Sequence, residues 1–290
     1  MKTVAAILRE LNKPLVLGEI EIPDLKPGQL LVDVAYSGVC HTQLMEARGK
    51  KGPDRFLPHT MGHEGSGIVR EVGPQTNKVK PGDRVVLSWM KGHGCDVPST
   101  HYSDAGGIVN SGAVGTFLQT AVVSENRVVK IPDAMPMREA ALLGCAIPTG
   151  AGIVINTLRV RPGESVVIFG VGGIGLSALL AAALVYAHPI VAVDVRDHKL
   201  DLARSLGATH TVNASDASAL TQLLELSGGG FDYAIEAAGR PEAMESAIAS
   251  VRAPGGTAVL AGNLPAGARI SLDPFDLIRG KRVIGTWGGE

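Results

Sequence analysis

The pattern of apolar and polar positions changes near the middle of the chain. Up to about residue 135, short apolar runs alternate with glycine and proline, and the clearest runs lie at 4–8, 15–22 and 30–36. Runs of this length, bounded by Pro-Gly and Gly-Pro pairs, are typical of strands joined by tight turns. Many short strands of this kind predict a small, partly open β-barrel.

From about residue 148 the pattern becomes one of strands that alternate with helices. We predict strands at 165–169, 191–195, 211–213, 231–236 and 256–261, and helices at 198–206, 216–226 and 241–252. Such alternation builds a parallel, doubly wound sheet. The sequence therefore predicts an α/β protein with one domain over 1–147 and a second over 148–290.

The segment 165–195 combines a buried strand, a glycine turn, a helix and a second strand. In such a turn Gly170 permits the sharp bend, Gly172 lets the backbone approach a pyrophosphate, and Gly175 lets the helix pack on the sheet. Asp194 follows Gly175 by 19 residues, a spacing suited to a carboxylate that binds an adenosine ribose. The predicted dinucleotide site thus contains the turn residues Gly170, Gly172, Gly173, Ile174 and Gly175.

The same segment has a second interpretation, because residues 165–193 contain no Asp, Glu, Lys or Arg and are long enough to span a bilayer. The glycine turn and the pair His188-Pro189 would interrupt one continuous helix. A buried parallel strand and its covering helix have the same composition. We therefore predict that this segment is the core of a soluble domain and that no membrane is a partner.

Charge and cysteine content narrow the class of protein further. The formal net charge is −1, which gives no reason to expect binding to nucleic acid. Lys2 and Arg9 interrupt the apolar start too early for a secretory signal. The three cysteines are odd in number and widely spaced, which suits a reducing compartment. We predict a cytoplasmic location.

Two cysteines and one histidine lie in contexts that indicate a metal site. Cys40 follows a predicted strand, His63 lies in a glycine-rich turn, and Cys145 lies where the two sequence patterns meet. Two thiolates and one imidazole with an open fourth position match a catalytic zinc site. The alternative is that both cysteines are small buried apolar residues and that the histidine has only a turn role.

Five motifs occur in a fixed order along the chain: 38–42 (Gly-Val-Cys-His-Thr), 62–65 (Gly-His-Glu-Gly), 81–85 (Pro-Gly-Asp-Arg-Val), 144–145 (Gly-Cys) and the glycines of 170–175. With these five motifs in this order, the chain resembles the medium-chain, zinc-dependent alcohol dehydrogenase family over nearly its whole length. The resemblance implies a GroES-like catalytic domain followed by a Rossmann domain.

The resemblance also implies roles for residues around the metal. The implied zinc ligands are Cys40, His63 and Cys145. Glu64 matches the family's carboxylate beside the metal, and the alternative for it is pairing with a buried cation such as Arg84. Thr42 matches the hydroxyl that takes the proton from the alcohol. Trp89 matches a position that lines the substrate pocket, and the alternative for it is a rim aromatic.

Further positions correspond to the family's cofactor contacts. The resemblance implies His41 near the pyrophosphate, Thr149 near the nicotinamide and Lys199 near the adenosine ribose. Asp194 would repel a 2′-phosphate, so we expect NAD rather than NADP, although Arg196 lies only two residues further on. Family members usually form homodimers or homotetramers, and the segment 270–280 is the expected contact.

The sequence departs from the family pattern at three places in the first half. Many relatives hold a second, structural zinc with four closely spaced cysteines, but the corresponding stretch 89–102 has only Cys95. We therefore predict one catalytic zinc, no structural zinc, and a lobe held by packing or by a partner subunit. Gln43 replaces an Asp that orients the zinc-bound histidine, and Met45 replaces a histidine that ends the proton relay.

These observations predict a zinc- and NAD-dependent oxidoreductase. It would move a hydride between the nicotinamide and a primary or secondary alcohol, with polyols and sugar-derived alcohols included. Because the chain stops soon after the last predicted strand, at 283–290, a second interpretation is a non-catalytic dinucleotide-binding fragment. A third is a zinc-free quinone-type reductase on the same scaffold. The sequence does not identify the alcohol.

Overall fold

A computed structural model describes residues 1–290 and divides the chain into two compact units, Met1–Cys145 and Ala146–Glu290. The first unit contains ten strands and two short α-helices. Its strands are β1 Lys2–Leu8, β2 Val16–Glu21, β3 Gln29–Ser37, β4 His59–Thr60, β5 Glu64–Val72, β6 Arg84–Ser88, β7 His101–Asp104, β8 Gly107–Asn110, β9 Thr120–Ser124 and β10 Val128–Lys130. Its helices are α1 His41–Ala47 and α2 Met137–Ala140, with 3-10 turns at Glu125–Arg127 and Ala141–Gly144.

The strands of the first unit form two sheets. Strands β1, β2, β7, β8 and β4 close into a barrel, whereas a partly open one was expected, and β10, β6, β5, β3 and β9 form a five-stranded sheet. Alternate residues of β1 are buried, as expected for a strand with one face on a core. The predicted runs 4–8, 15–22 and 30–36 correspond to β1, β2 and β3.

One apolar core serves this unit. Ile7, Leu30, Leu87 and Val122 are fully buried in it. Tyr102 is the largest buried side chain there, and its phenol oxygen accepts the N–H of Val122 at 2.8 Å. Burial raises the pKa of Tyr102, so the phenol stays neutral and can lie in the core.

The second unit contains one parallel sheet with helices between its strands. Its strands are β11 Val166–Phe169, β12 Ile190–Asp194, β13 His210–Asn213, β14 Tyr233–Glu236, β15 Thr257–Leu260 and β16 Arg282–Gly285. Its α-helices are α3 Ala146–Gly152, α4 Gly173–Leu184, α5 Asp197–Ser205, α6 Ala219–Leu226, α7 Pro241–Ser250 and α8 Pro274–Ile278, and a π-helical turn spans Ile153–Thr157.

The strand order is β13-β12-β11-β14-β15-β16, and every pairing is parallel. This is the order of a doubly wound dinucleotide-binding sheet, in which ligands bind beyond the carboxyl ends of the strands where the order reverses. The reversal lies between β11 and β14. The predicted fold class is confirmed.

The charge-free segment 165–193 forms β11, α4 and most of β12. All four residues of β11 are buried, which explains its uniformly apolar composition. No single helix of the chain has both the length and the apolar character needed to cross a membrane; Met137–Gly144 and Ala146–Thr157 would meet that test only as a bent pair.

Candidate functional site

Three residues that are far apart in sequence meet in the first unit. The ligand atoms of Cys40, His63 and Cys145 all lie within 4.8 Å of one another. Cys40 occupies the N-cap position of α1, His63 immediately precedes β5, and Cys145 follows the 3-10 turn Ala141–Gly144. The two sulfurs and the imidazole form a soft donor set of the kind that binds zinc.

The two cysteines differ in their readiness to ionise. A hydrogen bond from the Cys145 thiol lowers the pKa of Cys40 to about 3, against the opposing effect of burial, and His63 adds to the lowering. The same hydrogen bond raises the pKa of Cys145, and burial and the Glu64 carboxylate raise it further. Without a metal, the two sulfurs therefore share one proton. A divalent cation would replace that proton, so the donor set fits zinc.

Two further side chains contact these sulfurs. The backbone N–H and the hydroxyl of Thr42 both donate to Cys40. The side chain of Trp89 donates to Cys145 and lowers its pKa slightly against the stronger raising effects. Thr42 and Trp89 are both half-buried. The two residues predicted to serve proton transfer and the substrate pocket thus lie beside the candidate ligands.

Glu64 is a buried carboxylate next to the metal-ligating set, with 3% of its surface exposed. Glycines make room for it, because a Cβ on Gly38 would lie 2.6 Å from the Glu64 carboxylate and one on Gly144 would lie 2.8 Å from its Cα. Arg84, suggested as a partner for Glu64, donates to the carbonyl oxygens of Asp133 and Met135.

Gln43 connects α1 to His63. Its Oε1 accepts the backbone N–H of Cys40 at 2.7 Å, and its Nε2 lies in hydrogen-bond contact with Nδ1 of His63. The amide oxygen of Gln43, which could accept a bond from His63 in place of the family's Asp, is turned to Cys40 instead. Met45 is 3% exposed and His41 is exposed on the first turn of α1.

The segment that follows Trp89 is held by a carboxylate that sequence reasoning missed. Glu125 accepts the backbone N–H groups of Asn77, Lys78 and Cys95, each at 2.8 Å. Ser124 adds two bonds, because its hydroxyl accepts from Val97 N–H and donates to the Cys95 carbonyl, both at 2.9 Å. Glu125 follows a fully buried strand, but nothing in the sequence separates it from an ordinary surface acid.

The glycine turn of the second unit has the geometry that its sequence suggests. Gly170 has a φ of +87°, which favours glycine. A Cβ on Gly175 would lie 1.9 Å from the Gly170 carbonyl oxygen, so only glycine fits there. A Cβ on Gly172 would meet nothing within 4 Å, which leaves the backbone open to an incoming group. Gly173 and Ile174 form the first turn of α4.

Asp194 lies at the carboxyl end of β12 and faces this turn. Its Oδ2 accepts the N–H of Val171 at 3.0 Å, its Oδ1 accepts the N–H of Arg196 at 3.1 Å, and the Lys199 ammonium lies 3.7 Å from Oδ2. The predicted residues Asp194 and Lys199 are thus neighbours. Thr149 is buried in α3, whose Gly150 packs against α4 so closely that a Cβ would lie 2.2 Å from the Ile174 carbonyl oxygen.

A second buried carboxylate, Glu236 at the end of β14, was also missed. Its Oε1 accepts the N–H groups of Ala238 and Gly239 at 2.8 and 2.7 Å. Burial raises the pKa of Glu236, although these backbone bonds oppose the shift. A Cβ on Gly170 would lie 2.7 Å from the Ala238 backbone nitrogen. Glu236 therefore fixes the loop that packs against the glycine turn.

Comparisons with known proteins match both units. The model of the alcohol dehydrogenase GroES-like domain matches residues 26–133, and the model of the zinc-binding dehydrogenase family matches residues 173–290. The chain is 34% identical to the S-(hydroxymethyl)glutathione dehydrogenase of Synechocystis sp., with 100% of this chain and 86% of the relative covered. It is 33% identical to the class-3 alcohol dehydrogenase of Pisum sativum, with 98% and 83% covered.

Solved structures give the same result. A zinc-binding-domain alcohol dehydrogenase protein from Burkholderia ambifaria superposes with a TM-score of 0.91 at 32% identity, covering 100% of this chain and 85% of the other. Benzyl alcohol dehydrogenase from Acinetobacter calcoaceticus superposes with a TM-score of 0.89 at 32% identity and the same coverage. The similarity therefore extends through both units.

Proposed function

Because the chain belongs to the zinc-dependent, medium-chain alcohol dehydrogenase family, we propose that it is an oxidoreductase that moves a hydride between a primary or secondary alcohol and NAD. The observation that carries this proposal is the convergence of Cys40, His63 and Cys145. Their sulfur and nitrogen donors suit zinc, and members of this family use zinc and NAD(H).

The metal-ligating residues have assigned tasks. Cys40, His63 and Cys145 hold the zinc, which when bound supplies Lewis acidity that lowers the pKa of an alcohol hydroxyl. The Thr42 hydroxyl takes the alcohol proton, and the proton then leaves through water or another group, because the thioether of buried Met45 cannot carry it. Trp89 limits the pocket beside Cys145, and Glu64 tunes the charge of the set.

The dinucleotide residues belong to the second unit. The open backbone at Gly172 and the first turn of α4 receive the pyrophosphate, as the chemistry of such turns requires. Asp194 accepts hydrogen bonds from the adenosine ribose with Lys199 beside it, which favours NAD because a 2′-phosphate would be repelled. The bound nicotinamide supplies the hydride acceptor. His41 and Thr149 are further proposed cofactor contacts.

We assign one catalytic zinc and none to the lobe after Trp89. Cys95 is the only cysteine in that lobe, and Glu125 and Ser124 satisfy its backbone through hydrogen bonds. A cluster of thiolates is therefore not needed to hold the lobe.

We further assign a homodimer or homotetramer. Helix α8 leaves Phe275 and Ile278 with 56% and 76% of their surfaces exposed, and β16 is the open edge of the sheet. An apolar helix beside an unpaired strand edge is suited to pairing with a second copy.

The first experiment is to measure zinc per chain together with NAD binding and an NADH-linked screen of alcohols. We expect alcohol-dependent NADH formation that is lost in Cys145→Ser, along with one zinc, and retained in the control Cys95→Ser. NAD binding without turnover and without zinc at Cys145 would instead support the dinucleotide-binding fragment. Turnover that survives Cys145→Ser would support the zinc-free reductase.

A further inference from the structure

A second set of metal-ligating side chains lies in the first unit, apart from the cysteines. The ligand atoms of Glu46, Asp54 and His59 all lie within 4.8 Å of one another. Glu46 is on α1, Asp54 is on the loop that follows it, and His59 begins β4. The set contains no sulfur, so its chemistry differs from that of Cys40, His63 and Cys145.

His59 and Asp54 are already oriented by bonds to the backbone. His59 is 6% exposed, its Nδ1 donates to the Thr60 carbonyl at 3.0 Å, and its Nε2 lies 2.8 Å from Oδ2 of Asp54. The other oxygen of Asp54 accepts the N–H of Phe56 at 2.9 Å. Metal-ligating histidines are commonly fixed in this way, with one ring nitrogen bonded to a carbonyl and the other left for the metal.

No lysine or arginine forms a salt bridge with either carboxylate of the set. The two carboxylates lie close together, and His59 can contribute one positive charge at most. A divalent cation bound between these groups would neutralise both carboxylates.

A cavity of about 280 Å³ adjoins this set. Glu46, His59, Thr60 and Ser111 line it, and Gln43 and His63 line it on the side of the cysteine site. Thr60 and Ser111 are 3% and 6% exposed, and their hydroxyl oxygens have no hydrogen-bond partner.

Buried hydroxyls without partners are costly, by about 1–3 kcal/mol each. They indicate that polar ligands or ordered water belong in this cavity. Water molecules bound to a cation at Glu46, Asp54 and His59 would supply such partners, since a site with three protein ligands retains open positions.

We propose that Glu46, Asp54 and His59 bind a divalent transition-metal cation, with water completing its coordination on the cavity side. Oxygen and nitrogen ligands lie about 2.0–2.2 Å from such a cation, which places neighbouring donors of a tetrahedral site roughly 3.4 Å apart. Donors as much as 4.8 Å apart must therefore approach by about 1 Å through side-chain rotation when the ion binds. The bound ion joins α1, the loop through Asp54 and β4, and it therefore stabilises this part of the first unit.

Zinc stoichiometry tests the proposal on the full chain, equilibrated with zinc and then dialysed against zinc-free buffer. We expect two zinc ions per chain in the wild type and one in Glu46→Gln, whose side chain has no salt bridge to lose. His59→Gln should also hold one, and Cys145→Ser should keep the ion that Glu46→Gln loses. His101 lines the same cavity but is not one of the three proposed ligands, so His101→Gln is the matched control and should keep both zinc ions.

The outcomes separate this site from the proposed catalytic one. One zinc per chain that disappears in Cys145→Ser and persists in Glu46→Gln would overturn the second site and leave the proposed function intact. One zinc that disappears in Glu46→Gln and persists in Cys145→Ser would support the second site and contradict the catalytic one.

Cobalt substitution gives a spectroscopic readout that does not depend on activity. Cobalt bound to Cys40 and Cys145 absorbs strongly in the near ultraviolet through thiolate charge transfer, whereas cobalt bound to two carboxylates and an imidazole does not. In Cys145→Ser combined with Cys40→Ser, we expect cobalt to bind without that band and to raise the unfolding temperature. The proposal would be overturned if this double variant folded but bound no cobalt. It would also be overturned if adding Glu46→Gln to the double variant did not reduce cobalt binding.

Discussion

Gln43 presents its amide nitrogen, not its oxygen, to Nδ1 of His63, because the oxygen is already bonded to the N–H of Cys40. Nδ1 is turned to Gln43, so Nε2 is the ring nitrogen left for a metal. A neutral imidazole that ligates through Nε2 carries its proton on Nδ1. The single oxygen of the Gln43 amide therefore cannot accept both the N–H of Cys40 and the Nδ1 proton of His63. A carboxylate has two oxygens and could accept one bond from each.

Gln43→Glu is expected to tighten zinc binding. The new carboxylate keeps the bond to Cys40 and accepts the Nδ1 proton of His63, so we expect roughly a tenfold gain in zinc affinity, at the lower end of such effects. Gln43→Leu should weaken zinc binding by a similar factor or more. Competition with a chromophoric chelator at fixed pH measures both, and the exposed Gln119→Glu is the control. Equal affinities in all four proteins would contradict the assignment.

Two neighbouring glycines should respond differently to the same substitution. Gly175→Ala places a methyl group 1.9 Å from the Gly170 carbonyl oxygen, so it should destabilise the second unit by ~1–3 kcal/mol or more. Gly172→Ala meets nothing within 4 Å and should leave the unfolding temperature nearly unchanged. It should nevertheless weaken NAD binding about tenfold or more, because the methyl group lies on the backbone that the pyrophosphate approaches.

Thermal unfolding and NADH fluorescence titration distinguish these two effects. If Gly172→Ala bound NAD as the wild type does, the pyrophosphate would lie elsewhere.

Asp194→Asn should change cofactor preference. Loss of a charged acceptor for the ribose hydroxyls costs about 1.5–3 kcal/mol, which is roughly a 10- to 150-fold loss in kcat/KM with NAD. Use of NADP should rise, since Arg196 and Lys199 remain beside the site. Asp197→Asn, whose carboxylate bonds to Asn213, is the control. A fall in activity with both cofactors by the same factor would argue against a role in selectivity.

Glu125→Gln is expected to destabilise the first unit by ~1–3 kcal/mol, since an amide cannot accept all three backbone N–H groups. Burial opposes ionisation of this carboxyl, but the N–H groups of Cys95, Lys78 and Asn77 hold the pKa of Glu125 below its usual value. A lowered folded-state pKa gives stability that is complete above the unfolded pKa, near 4.3, and is lost as the pH falls through the folded pKa.

The difference in unfolding free energy between wild type and Glu125→Gln should therefore be constant from about pH 6 to 8 and shrink below about pH 4. Chemical denaturation across this range measures it. The exposed strand variant Glu71→Gln should show no such difference, and a difference that grew on acidification would contradict the role given to Glu125.

The sequence predicted the central elements of the second unit well, because β11, β12, β14 and β15 are almost wholly buried and are therefore largely apolar. The predicted strand 231–236 was observed as Tyr233–Glu236, and the predicted helix 241–252 as Pro241–Ser250. The metal-ligating set was harder to predict. Cys40 and Cys145 are separated by more than a hundred positions, so their spacing carried no signal, and the prediction rested on their local sequence contexts and then on the family resemblance.

The residues that sequence reasoning missed are polar groups whose partners are backbone atoms or distant loops. Glu125 and Glu236 accept backbone N–H groups whose positions depend on the finished fold. His59 and Asp54 lie among ordinary turn residues, and Glu46 lies on a short helix. Periodicity shows which face of an element is buried, but it does not show which carboxylate a turn will meet.

The hydrogen bonds of Glu125 and Ser124 also bear on how the protein is made. These groups belong to the chain itself, so, if the lobe holds no zinc as proposed, the segment from Gly92 to Val97 needs no metal ion to reach its final form. Protein made without zinc would then already hold this lobe folded, and zinc supplied afterwards would need to reach only the ligand residues of the candidate site.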